Sequence, residues 1–154
     1  MPETPDVQLG GLYGDRILEH YRNPHNRESV AEPDLEAHEF NPFCGDRVDL
    51  YLKLDGQNLV SAINADSEGC SIIQASASML SDLLKGKTLK EIASLASTFR
   101  SMMEGREIPP ETMADLGELD ALQVVRRYPV RIKCALLPWT ALEEAVQAYR
   151  SRAE

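Results

Sequence analysis

Three cysteines and one aspartate carry most of the chemistry this chain can offer. Cys44 and Asp46 lie in Asn41-Pro42-Phe43-Cys44-Gly45-Asp46, Cys70 follows Glu68-Gly69, and Cys134 follows Arg131-Ile132-Lys133. Thiolates are soft ligands and strong nucleophiles. Three of them with a carboxylate make a donor set for tetrahedral Zn²⁺ or for the iron of an Fe–S cluster. Spacing alone does not select that reading, because 25 residues separate the first two cysteines and 63 the last two. Free cysteine is also an ordinary buried packing residue. Placement favours a site. Pro42 and Gly45 shape a turn around Cys44. Cys70 opens a helix, where free N–H groups and the dipole favour a thiolate. Cys134 follows Arg126, Arg127, Arg131 and Lys133, whose charge is expected to lower its pKa.

The elements that must position these groups are legible in the pattern. Leu12, Tyr13, Ile17, Leu18 and Tyr21 recur at helical spacing until Asn23-Pro24, which predicts a first helix after a flexible N-terminal arm over 1–11. Val48, Leu50, Leu52 and Leu54 alternate with Arg47, Asp49, Tyr51 and Lys53, so they form one face of a strand. Asp55-Gly56-Gln57-Asn58 makes a turn into a second strand over 59–65, and the segment before Cys44 supplies a third. Antiparallel pairing would bring Cys44 and Cys70 to one sheet edge. Ile72, Ile73, Ser76, Met79, Leu80, Leu83 and Leu84 share a helical face up to Gly86, and Thr88 with Glu91 makes a capping box for the next helix. Residues 104–120 hold six acids, one base and Pro109-Pro110, and read as an exposed acidic insertion. Pro129 starts a long C-terminal helix with a stripe of Ile132, Leu136, Trp139, Leu142, Val146 and Tyr149, which Pro138 is expected to kink or divide. The expected fold class is α+β, a small antiparallel sheet of about three strands with helices on one face, in a single domain over 12–150.

The formal charge of −9 argues against a nucleic-acid partner. The absence of an 18-residue apolar run or a signal-peptide pattern points to no membrane partner and a cytoplasmic location. An odd number of cysteines in a reducing compartment suits free thiols, ligands or a nucleophile better than disulfides. His20, His25 and His38 are isolated in sequence; His20 reads as a packing or surface residue and His25 as part of a turn. The basic run over 126–133 is either a solvated helix start or a docking patch.

The blocks around the cysteines, Asn41 to Asp46, Gly69-Cys70-Ser71-Ile72 with Ala75 to Met79, and Tyr128 to Ala135, resemble the signatures of the U-type iron–sulfur cluster assembly proteins. Leu12 to Pro24 is similar to that family's first helix, so the resemblance spans residues 12 to about 149. The housekeeping scaffold branch carries a histidine just before the third cysteine, where this chain has Lys133. Arg131-Ile132-Lys133-Cys134 and the acidic insertion are similar to the SufU-like branch. The resemblance implies the IscU-like fold shared with NifU, Zn²⁺ held by Cys44, Asp46, Cys70 and Cys134, and a SufS-like, pyridoxal-phosphate-dependent cysteine desulfurase as sulfur donor. Downstream Fe–S assembly proteins or apoproteins would be the recipients.

Accepting sulfane sulfur needs a thiolate that attacks the outer sulfur of a persulfide. Zinc keeps thiolates deprotonated but less nucleophilic, so one ligand must be released when the donor docks. Cys134 is the expected acceptor, with Arg131 and Lys133 to stabilise its released anion. Two other functions remain open: a scaffold that assembles and transfers a [2Fe–2S] cluster, and a structural zinc module. Zinc-dependent sulfurtransferase activity belongs to the first reading only.

Overall fold

The computed structural model describes residues 11–42 and 45–153. Residues 1–10 of the expected arm and Cys44 therefore lie outside the described residues, while Gly11 opens the first helix. The elements run α1 (Gly11–Arg22), β1 (Leu35–Asn41), β2 (Asp46–Leu54), β3 (Val60–Glu68), α2 (Ser71–Leu84), α3 (Leu89–Met103), α4 (Pro110–Ala114), a 3-10 helix (Gly117–Arg127) and α5 (Pro129–Ala153).

The sheet is antiparallel in the order β1-β2-β3, with Leu50 opposite Ala37 on one side and Ala65 on the other. The β2–β3 turn forms because Asp55 Oδ1 accepts the N–H groups of Gln57 and Leu59 at 2.8 and 3.0 Å. Along β2, Asp46, Val48, Leu50, Leu52 and Leu54 are buried, while Arg47, Asp49, Tyr51 and Lys53 are half-buried on the other face. Period-2 alternation thus places a carboxylate in line with the core aliphatics. α2 packs on β3 and α5 crosses β1 and β2, so one face is covered. The opposite face carries ion pairs, including Arg47 with Asp49 and Glu68 and His38 with Asp49.

α2 stops where Gly86 takes a φ of +80°, and α3 begins with the expected capping box, Thr88 Oγ1 accepting the Glu91 N–H and Glu91 Oε1 accepting the Thr88 N–H. Leu50, Leu52, Ile72, Ile73, Leu80, Phe99 and Trp139 are fully buried, each worth about 1.5–3 kcal/mol of burial free energy. Phe99 stacks on Trp139 at 5.1 Å between α3 and α5.

Two expectations need correction. Residues 104–115 are largely exposed, as an acidic insertion should be, but Leu116 and Leu119 are fully buried. Leu116, Leu119, Leu122 and Val125 recur every third residue, the period of a 3-10 helix, and bury as one stripe. α5 also runs undivided past Pro138, so of the two expected outcomes division is excluded. One missing N–H costs about 3 kcal/mol, and burial of Trp139, Ala141, Leu142 and Ala145 around it offsets that loss.

Candidate metal centre

At one edge of the sheet, three elements converge. Arg47 pairs with Glu68, so Asp46 at the start of β2 sits against the residues that leave β3. Gly69 there has a φ of +135°, and a Cβ on it would lie 2.1 Å from Asp46 Oδ1. Only glycine lets the chain pass this close. The next residue, Cys70, is the N-cap of α2, and its N–H donates to Asp46 Oδ1 at 3.2 Å.

The third member arrives on α5, which is tied to α2 by a buried hydrogen bond from the Ser76 hydroxyl to the Ala135 carbonyl at 2.7 Å. Pro138 has no N–H to give the carbonyl of Cys134 four residues back, so that carbonyl lacks its usual helical donor. One ligand atom each from Asp46, Cys70 and Cys134 lie within 4.8 Å of one another. Asp46 is 1% and Cys134 2% exposed, whereas Cys70 is half-buried. Arg131 Nη1, one turn before Cys134 on α5, is 3.8 Å from Cys134 Sγ.

The two thiols are electrostatically unequal. The Cys134 S–H bonds to Cys70 and, helped by the N–H groups of Ile73 and Ile72 at the helix start, holds the Cys70 pKa below the usual thiol value against the effect of burial. The same hydrogen bond, burial and the Asp46 carboxylate push Cys134 up, and the opposing effect of Arg131 is smaller. The expected lowering by Arg131 is present but is outweighed, because sequence shows the charges on one helix and not the thiol, carboxylate and burial that meet Cys134 from other elements.

The donor set fits a zinc ion. Bonds of about 2.3 Å to sulfur and about 2.0–2.2 Å to oxygen span donors this far apart. Cys44, the remaining expected ligand, precedes Asp46 by two positions and lies outside the described residues. The contribution of Gly69 is absent from the sequence reading, although a glycine between a strand end and a helix-opening cysteine is a signal for close backbone approach. His20 is buried, His38 pairs with Asp49 on the open sheet face, and neither reaches the cysteine site. Arg126, Arg127 and Lys133 are exposed.

A three-stranded antiparallel sheet, one covering helical layer and a Cys/Asp cluster at the sheet edge define a thiol-bearing α+β domain of the iron–sulfur assembly type. The chain belongs to the NifU-like N-terminal domain family, whose pattern it matches over residues 12–154. It is 43% identical over 141 residues to the zinc-dependent sulfurtransferase SufU of Bacillus subtilis (strain 168), covering 92% of this chain and 93% of that protein. It is 36% identical to the iron–sulfur cluster assembly scaffold protein IscU of Streptococcus pyogenes serotype M1, covering 91% of this chain and 86% of the relative. Among solved structures, the N-terminal part of a NifU-like protein from Brucella abortus superposes with a TM-score of 0.77 at 27% identity, covering 92% of this chain and 96% of that one. The expected fold and family agree with these findings. No helix among the described residues is long and apolar enough to cross a membrane.

Proposed function

We propose that this chain is an iron–sulfur cluster assembly protein of the zinc-dependent sulfurtransferase kind, taking persulfide sulfur from a pyridoxal-phosphate cysteine desulfurase and passing it on toward cluster synthesis. The observation that carries this reading is the convergence of Asp46, Cys70 and Cys134 at the sheet edge. Cys44 completes the proposed ligand set. Zinc, when bound, holds the ligand sulfurs as thiolates.

The transfer step is an exchange in which a released thiolate attacks the outer sulfur of the donor persulfide. A new S–S bond forms, the donor S–S bond breaks, and the desulfurase cysteine leaves as thiolate, so no external oxidant or reductant is needed. The acceptor has to meet a sulfur presented by another protein. At 2% exposure Cys134 is poorly placed for that, and Cys70 and Cys134 are both carried by helices. In sequence, Cys44 falls between the end of β1 at Asn41 and the start of β2 at Asp46. Because Cys134 is buried, we assign it as an interior ligand positioned by Arg131 and, departing from the sequence expectation, take Cys44 as the acceptor.

The identity to IscU scaffold proteins favours a second reading, assembly and transfer of a [2Fe–2S] cluster on the same residues. Metal analysis of protein purified without added metal, followed by mass spectrometry after incubation with a cysteine desulfurase and cysteine, separates them. Sulfur relay gives about one zinc per chain and an adduct of about 32 Da. An intact cluster that transfers, with no adduct on any cysteine, establishes the scaffold. Zinc with neither adduct nor cluster leaves a structural zinc module.

A further inference from the structure

A second group of metal-ligating side chains gathers where α1, the turn after it and the 3-10 helix meet. Glu19 and His20 come from α1, His25 from the turn beyond Pro24, and Glu118 from the 3-10 helix. One ligand atom each from Glu19, His20 and His25 lie within 4.8 Å of one another. His20 Nε2 is 2.5 Å from Glu118 Oε2 and 3.9 Å from Glu19 Oε2, and His25 Nε2 is 3.5 Å from Glu19 Oε1.

The orientation of the two rings is the informative part. His20 Nδ1 is held by Ser78 Oγ at 2.7 Å, and His25 Nδ1 by Asp82 Oδ2 at 2.6 Å. Each imidazole is thus fixed from behind through Nδ1, while its Nε2 faces the Glu19 side. Metal-binding histidines are oriented in this way, by a hydroxyl or carboxylate on the nitrogen that does not ligate. The holders are themselves anchored: Ser78 Oγ accepts the His25 backbone N–H at 2.8 Å, and Asp82 Oδ1 accepts Asn26 Nδ2 at 2.8 Å. His20 is 1% exposed, whereas the side chains of Glu19 and Glu118 are about half exposed (53% and 55%), which leaves a route from solvent.

We propose that Glu19, His20 and His25, with Glu118 beside His20 Nε2, form a second metal site, independent of the cysteines, for a divalent first-row transition ion such as Fe²⁺ or Zn²⁺. Two imidazoles with carboxylates suit such ions, whereas Mg²⁺ and Ca²⁺ favour all-oxygen sets and Cu⁺ favours sulfur. Binding uses the neutral tautomer of His20 whose proton sits on Nδ1, donated to Ser78 Oγ, leaving the Nε2 lone pair for the ion.

The test uses the full chain with its cysteines already loaded with zinc, titrated with Co²⁺ and followed by equilibrium dialysis and visible absorption. A further equivalent of cobalt, with ligand-field bands but no thiolate charge-transfer intensity, supports the site. His25→Gln, on an exposed turn, should abolish that equivalent, and Asp82→Asn should weaken it about 10–100-fold, both retaining the zinc and the circular dichroism of the parent. Absence of the second equivalent in the parent chain overturns the proposal. So does unchanged cobalt affinity in both variants, or charge-transfer intensity that places the ion on sulfur.

Discussion

Asp46 engages Cys70 through both carboxylate oxygens, Oδ1 accepting the Cys70 N–H at 3.2 Å and Oδ2 lying 3.9 Å from Cys70 Sγ. A negative group is thereby set at the N-terminus of α2, where the dipole favours it, and beside a thiol that it disfavours as an anion. A cation between the two relieves that repulsion.

Replacing Asp46 with Ala should therefore leave the fold intact and weaken zinc binding by about tenfold or more, since three sulfurs remain. Competition against a chromophoric chelator reads this, and equal affinity would remove Asp46 from the ligand set.

Gly69→Ala should strain the positive-φ backbone, at about 1–3 kcal/mol, and drive the new methyl into the carboxylate. Thermal unfolding and zinc affinity should fall together. In Asp46→Ala the two nearest targets, Oδ1 and Cγ, are gone and the Cα at 3.1 Å remains, so the two substitutions should be non-additive in a double-mutant cycle; additivity would mean that the two residues do not share one tight contact.

The outer frame of this arrangement could be read from sequence, because Val48 to Leu54 alternate, Thr88 and Glu91 form a recognisable pair and Gly86 stops a helix. Cys70 stood out at the opening of α2 and Cys134 in the first turns of α5. What stayed hidden depends on contacts between distant segments. The burial of Cys134 is set by α2 and β2, which no pattern near residue 134 reports. Leu116 and Leu119 were masked by surrounding acids, although their spacing of three continues to Leu122 and Val125.

That stripe makes its own prediction. Leu119→Ala should cost about 2–5 kcal/mol in denaturant unfolding, as a cavity in packed core does. Glu111→Ala, on the exposed stretch, should stay within about 0.5 kcal/mol. Similar small effects for both would return the whole acidic segment to the surface.

His38 offers a pH signature away from both sites. Its hydrogen bond to Asp49 raises its pKa above 6.5, with a smaller contribution from Glu36. A folded-state pKa above the unfolded one means stabilisation that is complete below about 6.5 and lost as pH rises through the raised value. The side chain is half exposed, so solvent screening keeps the effect small. His38→Gln should flatten that part of the stability profile, and an unchanged profile would show that the pair contributes nothing.

Sulfur mapping addresses the acceptor. After incubation with a desulfurase and cysteine, the adduct of about 32 Da should reside on Cys44, and Arg131→Ala should slow its appearance while most zinc is retained, since a guanidinium does not ligate the ion. An adduct confined to Cys134 would restore the basic run as the feature that selects the acceptor.

Because side chains on a strand alternate faces, sliding β2 by a single residue against β3 would turn Asp46 out to the open face and break its approach to Gly69. The cluster then exists only in chains whose strands have paired correctly and whose α5 has docked on α2. Metal uptake at the proposed site would thereby work as a checksum on folding. A misthreaded molecule would lack the ligand geometry and so take no part in the proposed sulfur transfer.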